Sequence, residues 1–381
     1  MNEYDISLYY EAAENEILKN YSRILKKYTK NKKIEDMTPE EWQQFREEAL
    51  QGLKEYKRKN EEIKKEIAAV AILEVLFLKK SYQKETKKIE KEIENLIKVG
   101  KIDEKSIRKT VLNKKKVNTI LDDFEKKMDE ARKFAFTTMP LEDYKSVVQA
   151  TETFANGSTR NVWEAVDNAT MNYLKNGITT IQYSNGANVN VASYAEMAIR
   201  TQDMHMRNQA GADIRAMYGL PPLVIVSSHS TACKSCVPWQ GHIFIDDVYS
   251  NPTKSEIKKY GRKYRYLSEA MEGGLFHPNC KHYLKTYYEG YKDPEWIDEA
   301  EVSEEYKDTQ TQRSIERQIR KNKMLRDNAL TNEAKEKYDK KIDNLETKIT
   351  NHINTANEKY GREVLTRDLE REINRYKGTN K

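Results

Sequence analysis

Two short stretches, Cys233-Lys234-Ser235-Cys236 and, about forty residues later, His277-Pro278-Asn279-Cys280-Lys281-His282, hold the donors from which a metal site can be built. Thiolates two residues apart can face one tetrahedral ion. A second ligand pair in another tight turn then closes the site from the far side. Cys233, Cys236 and Cys280 are the expected ligands. His282 is the expected fourth, because it and Cys280 flank a single residue; His277 is the alternative, or a hydrogen-bonding support for a ligand. Zinc in a structural role is the expected cofactor. The 381-residue chain has three cysteines, too few for a closed disulfide framework, which points to folding in a reducing cytoplasm.

A catalytic zinc needs an open coordination position and a nearby general base. The zinc deaminases share a CxxC but also require an upstream His-x-Glu and a proline before the pair. Here Ala232 precedes Cys233, no His-x-Glu comes before it, and no HExxH occurs. His229, in Ser228-His229-Ser230, is the histidine beside the cluster with no assigned role. With Arg200 and Asn279 it makes the first set to test on an enzyme reading, a metal-dependent, nuclease-like effector. A cysteine nucleophile would need a thiol free of metal with a depressed pKa, and the symmetric pairing of thiols argues against that. No catalytic residue is assigned, and the chain is expected not to be an enzyme.

The segment that must position these turns, residues 141–292, contains the cysteines and most of the histidines and reads as a small α+β domain. Ile178–Tyr183 is strand-like, Asn185-Gly186 is a hairpin turn, and Val189-Asn190-Val191 returns. Ser193-Tyr194-Ala195-Glu196 has the form of a capping box opening a helix. Leu223–Val226 and His242–Ile245 are further short strands. Residues 1–140 read as helices: Tyr9, Ala12, Ile17, Tyr21 and Leu25 recur at helical spacing, and Thr38-Pro39-Glu40-Glu41 is a helix start. A long helix is expected from Glu61 to Val99, capped at Gly100. Its stretch Ile67–Leu78 is apolar nearly all round, so burial within the chain is expected. In residues 293–381, Tyr338, Ile342, Leu345, Ile349 and Ile353 alternate at steps of about four and three, a coiled-coil seam. The expected fold is therefore mostly α, with a zinc-stapled α+β centre between long charged helical arms.

Composition bounds the partners. Charged residues make up 34% of the chain, 67 basic against 61 acidic, for a net charge of +6. Lys and Glu alternate nearly everywhere, whereas a nucleic-acid binder usually concentrates its charge. Lys114-Lys115-Lys116 is read as a solvated helix face. Contact with nucleic acid is therefore expected to be weak at most, and no small-molecule substrate is inferred. The best apolar run, Ile67–Leu78, contains Glu74 and is too short to span a bilayer. The acidic start Met1-Asn2-Glu3-Tyr4-Asp5 is unlike a signal peptide.

The stretches SSHSTACKSCVPWQGHIF and YLSEAMEGGLFHPNCKHYLKTYY together resemble the signature of phage minor capsid protein 2. The upstream NYLKNGITTIQYSNGANVNVASYAEMAIRT and the trailing RSIERQIRKNKMLRDNAL are similar to flanking parts of that family. The resemblance covers about residues 145–375 and leaves the first 140 without a role. Related head morphogenesis proteins of the Mu F type carry HPxCxC, and His282 stands where their last cysteine falls. The resemblance implies a low-copy virion component inside the capsid, associated with the portal and other head proteins and assembled in the bacterial cytoplasm. It also implies head morphogenesis as the role, with ejection alongside the DNA left open.

Overall fold

The computed structural model describes residues 3–29, 39–104, 107, 115–138, 180–182, 188–289, 299–329 and 332–369. Three helices come first: α1 (Glu3–Thr29), α2 (Pro39–Lys98) and α3 (Lys115–Lys133). A π-helical turn, Phe134–Thr138, follows. A two-stranded antiparallel ribbon, β1 (Thr180–Gln182) and β2 (Asn188–Asn190), leads into α4 (Val191–Tyr218). Then come β3 (Leu223–Val226), β4 (Ile243–Ile245), α5 (Lys254–Tyr260), β5 (Arg265–Tyr266), α6 (Leu267–Glu272) and β6 (Leu284–Thr286). Helices α7 (Glu299–Asn328) and α8 (Asn332–Tyr360) end the described chain. It is thus mostly helical with a small sheet. Among the described residues no helix is long and apolar enough to cross a membrane.

Helix α2 runs for 60 residues, starting well before the expected Glu61. Within it Gly52 is the one strong breaker and no proline follows Pro39, so nothing interrupts the hydrogen-bond ladder. It ends as expected: Gly100 takes φ +70°, its N–H donates to Ile97 O at 2.9 Å, and Lys101 N–H donates to Leu96 O at 2.8 Å. These are the paired bonds of a Schellman stop. The apolar run Ile67–Leu78 is not covered all round. Ile67, Val70, Glu74 and Leu78 are buried at helical spacing, while Ile72 and Leu76 are exposed. The expected Thr38 cap, Lys114 and the Asn185-Gly186 turn lie outside the described residues.

The chain divides into two compact units, one from 1–3, 72–127 and 196–309, the other from 4–71, 128–195 and 310–381. The first holds a four-stranded sheet of order β5-β4-β3-β6. β3 pairs antiparallel with both β4 and β6, and β4 pairs parallel with β5. Side chains alternate across β3 with the period of two that a pleated strand imposes. Val224 and Val226 join Phe244, Leu267, Leu275, Phe276, Cys236, Cys280 and residues Met204 and Ala212 of α4. Leu223 faces Ile245 and Tyr260 instead, with Tyr264, Tyr266 and Tyr287 around them. Ile89 and Ile93 of α2 pack on Ile214 and Tyr218 of α4. Lys116, expected to be solvated, donates to Tyr249 O at 2.8 Å.

Arg215 of α4 and Asp246, after β4, are an ion pair at 2.5 Å with side-chain exposures of 2% and 0%. Asp246 also accepts from Tyr249 N–H at 2.9 Å and from the Ser250 hydroxyl at 2.7 Å. The buried carboxylate therefore has its charge paired and its lone pairs occupied, the condition under which such a group is tolerated.

In the second unit α1 buries Ile6, Tyr10, Ala13, Ile17 and Tyr21. This stripe is set one residue off from Tyr9 and Ala12, which are half-buried. Tyr10 meets Phe136 of the π-turn at 6.2 Å, and Tyr21 meets Tyr56 edge-on at the same distance. Helices α7 and α8 pair through Ile315, Ile319, Leu345, Ile349 and Ile353. Lys323 contacts Glu346 and Arg326 contacts Asp339, so the two run antiparallel as a helical hairpin. α4 is capped three residues ahead of the expected Ser193. Asn190 Oδ1 accepts from the N–H groups of Ala192 (2.9 Å) and Ser193 (3.2 Å), the bonds of an N-cap.

Asn190 Nδ2 also donates to the Glu14 carboxylate at 2.5 Å. Burial pushes Glu14 from its ordinary 4.5 up to about 8, against the lowering effect of that hydrogen bond, with the neighbouring Glu11 charge adding to the rise. Below pH 4.5 the carboxyl is protonated in both states and costs nothing. Between 4.5 and about 8 the unfolded chain releases a proton that the folded chain keeps, so stability falls as pH rises. Glu14→Gln removes that ionisation. A tenfold change in proton affinity is worth on the order of 1 kcal/mol. Urea unfolding is therefore expected to show the variant more stable by a few kcal/mol at pH 8 and near parity at pH 4.5. A difference independent of pH would show that Glu14 does not carry the titration.

Candidate metal centre

The first ligand turn hangs between β3 and β4. Cys236 N–H and Val237 N–H both donate to Cys233 O at 3.0 Å, which folds the CxxC so that its thiols converge. A 3-10 turn, Val237–Trp239, follows with Pro238 inside it. The second turn, His277-Pro278-Asn279-Cys280, leads into β6. Cys280 N–H donates to His277 O at 3.0 Å and Asn279 has φ +69°. Proline at the second position and a left-handed residue at the third define a type II turn. Asparagine is among the few side-chain-bearing residues that enter that region readily.

α4 buttresses this turn. Asn279 N–H donates to Thr201 Oγ1 at 3.0 Å, and Arg200 Nη1 donates to Asn279 Oδ1. The same guanidinium holds Glu196 at 2.7 Å. Arg200 and Asn279, singled out from sequence for an enzyme reading, are thus brought together as a clamp behind the ligand turn.

The five expected donors form two groups that share Cys236: Cys233, Cys236 and His277, and Cys236, Cys280 and His282, each with its ligand atoms within 4.8 Å of one another. Cys236, Cys280 and His282 are buried, whereas Cys233 and His277 are half-buried. Cys236 Sγ lies 3.6 Å from Cys280 Sγ, and Cys280 Sγ lies 3.3 Å from His282 Nδ1. A tetrahedral zinc with bonds of about 2.3 Å to sulfur and 2.0 Å to nitrogen sets those pairs about 3.8 and 3.5 Å apart. Cys233 Sγ and His277 Nε2 are closer, at 2.9 Å.

Both histidines turn a bare nitrogen to the thiols. His277 Nδ1 faces Pro278 O at 2.8 Å, a carbonyl that only accepts, so the ring proton is on Nδ1 and Nε2 is free. The tautomer of His282 is set by Gln240. His229 N–H donates to Gln240 Oε1 at 2.8 Å, which identifies that atom as the oxygen. His282 Nε2 lies 3.0 Å from the same oxygen and must carry the proton, leaving Nδ1 for a metal. His282 N–H also donates to Cys280 Sγ at 3.4 Å. The hydrogen bond between the two thiols lowers the Cys280 thiol against the opposing effect of burial, with the His282 N–H adding to the lowering; the same bond and burial raise Cys236.

His229 belongs to neither donor group. Its ring stacks on His282 with centroids 4.2 Å apart. Burial above all, with the Lys281 charge adding to it, pushes it down to about 4, so it is neutral near pH 7.

Sequence reasoning missed Gln240 and the pair Gly273-Gly274. A Cβ on Gly273 would lie 2.2 Å from the Trp239 ring, and Gly274 has φ +103° with Ser235 close by. The chain passes under the first ligand turn only because these two residues have no side chain. The signal was the glycine pair itself, just ahead of the second ligand turn. Together the thiols and the oriented rings give two three-donor groups, sharing Cys236, that could hold a metal ion.

Searches of curated proteins and of solved structures return no match. A family model described as phage minor capsid protein 2 matches residues 2–354. The match takes in the N-terminal helices that the motif resemblance left aside. A virion structural protein is what that match supports, and the chain belongs to the phage minor capsid protein 2 family.

Proposed function

We propose that the protein is a zinc-stapled internal component of the phage head, acting in head morphogenesis on the portal. Cys233, Cys236, Cys280 and His282 hold one zinc ion, and His277 stands beside them as the competing fifth donor. The observation that carries the metal reading is the gathering of every thiol of the chain with two histidines whose tautomers leave a nitrogen bare. His282 is preferred over His277 because it is buried and its distance to Cys280 suits a shared ion. The zinc is structural and not catalytic: four protein donors leave no place for a reacting water. When bound it supplies a crosslink between the β3–β4 turn and the turn before β6.

The family, and the helical hairpin with its long charged surface open to other subunits, support this location. Metal analysis with X-ray absorption on the purified chain is expected to give one zinc with three sulfurs and one nitrogen. A zinc with an oxygen ligand would overturn the structural role. Mild disruption of virions is expected to leave the protein with the portal; its release with the shell subunits would overturn that placement.

A further inference from the structure

We propose that residues 254–265, which form α5 and the turn into β5, are a docking surface for the phosphate backbone of duplex DNA. This does not depend on the metal or on the portal. Six basic residues, Lys254, Lys258, Lys259, Arg262, Lys263 and Arg265, stand here against one acid, Glu256. That gives +5 over twelve residues, where the whole chain carries +6. All six are exposed.

Three observations set this segment apart. On the long helices a number of basic residues are answered one turn away, as in Arg58–Glu62, Lys88–Glu85 and Lys127–Asp123. Here only Lys263 and Arg265 approach an acid, at 4.0 and 3.1 Å; among the described residues the other four make no ion pair. Glu256 is committed to the helix start, where it accepts from Thr253 N–H and hydroxyl at 2.7 Å in a capping box. The patch is also held rigidly. Tyr260 is buried against Leu223 and Ile245 of the sheet, and Tyr264 and Tyr287 meet edge-on at 6.1 Å.

The chemistry favours phosphates over an acidic protein surface. Protein interfaces carry an apolar centre inside a polar rim, but the aromatic rings here are covered by cations. Lys259 lies 4.7 Å over Tyr260, Lys263 4.9 Å over Tyr264 and Arg265 5.1 Å over Trp239. Rings so covered do not offer the stacking platform that single strands use. What remains is a fan of long cationic side chains, which suits backbone contact without base reading.

The test is fluorescence anisotropy of a labelled DNA duplex titrated with the full chain over a salt series. Four phosphate contacts predict a slope of log K on log salt of about −3.6, or roughly a hundredfold weaker binding at 200 mM than at 50 mM. Lys258→Gln/Arg262→Gln is expected to flatten the slope by about 2, one per contact removed. Lys337→Gln/Lys340→Gln, the same charge change at exposed positions of α8, is expected to leave it unchanged. Far-UV circular dichroism checks the fold of both variants, and Lys258→Ala/Arg262→Ala repeats the test with smaller side chains. Equal losses in the two Gln variants would reduce the effect to net charge and overturn the proposal. So would absent duplex binding at 50 mM salt, or polyglutamate binding that matches the duplex and is lost in the α5 variant.

Discussion

Cys280→Ser, or removal of the metal by a chelator, is expected to unfold the sheet unit and leave the α7–α8 hairpin helical. Structural zinc contributes on the order of 10 kcal/mol to folding, comparable with the whole stability of a typical domain. The small sheet has little to offset such a loss. Its strands are two to four residues long, and two of its core side chains, Cys236 and Cys280, are the proposed ligands. The hairpin rests on Ile315, Ile319, Leu345, Ile349 and Ile353, with no thiol among them. Thermal melting followed at 222 nm is expected to resolve a transition that disappears on chelation and a second that does not. His282→Ala should lose zinc retention far more than His277→Ala, because His282 is buried beside Cys280 whereas His277 is half-buried. An unchanged melting profile for both Cys233→Ser and Cys280→Ser would sink the staple.

The second large effect is expected at Arg215 and Asp246. Asp246→Asn keeps an oxygen for the Tyr249 N–H but leaves the Arg215 cation buried without its counter-charge. Breaking one side of a buried pair costs about 3–5 kcal/mol. Arg215→Met should cost about as much, since it strands the carboxylate. The double variant is expected to recover part of the sum, because neither charge then remains buried alone. Urea unfolding of the metal-loaded proteins measures this cycle. Strict additivity would mean that the two groups act on stability independently.

Much of this was legible in the sequence because the signals were local. The two ligand turns, the Gly100 stop, β3 and the α8 stripe each rest on a few adjacent residues whose chemistry admits one local structure. What escaped depended on distant neighbours. Asn190 and not Ser193 starts α4, because Asn190 is also held by Glu14 from α1. Gln240 fixes the His282 tautomer across 42 residues of sequence. β5 and β6 are too short for any periodicity to declare them, and only pairing to β4 and β3 makes them strands. The basic segment at α5 was hidden by averaging: alternation of Lys and Glu over the whole chain masks twelve residues that do not alternate.

The position of β3 between β4 and β6 also sets a clock. Val224 pairs with Phe244 about 20 residues on, but its other neighbour, Thr286, is about 60 residues away. At a synthesis rate of roughly 5–20 residues per second, that edge stays open on the ribosome for about 3–12 s. The exposed strand is Leu-Val-Ile-Val, apolar and β-branched, the kind of edge that recruits other chains. Polysomes crowded with one message bring many such edges together, so soluble yield should depend on translation speed and chaperone supply even where the finished fold is stable.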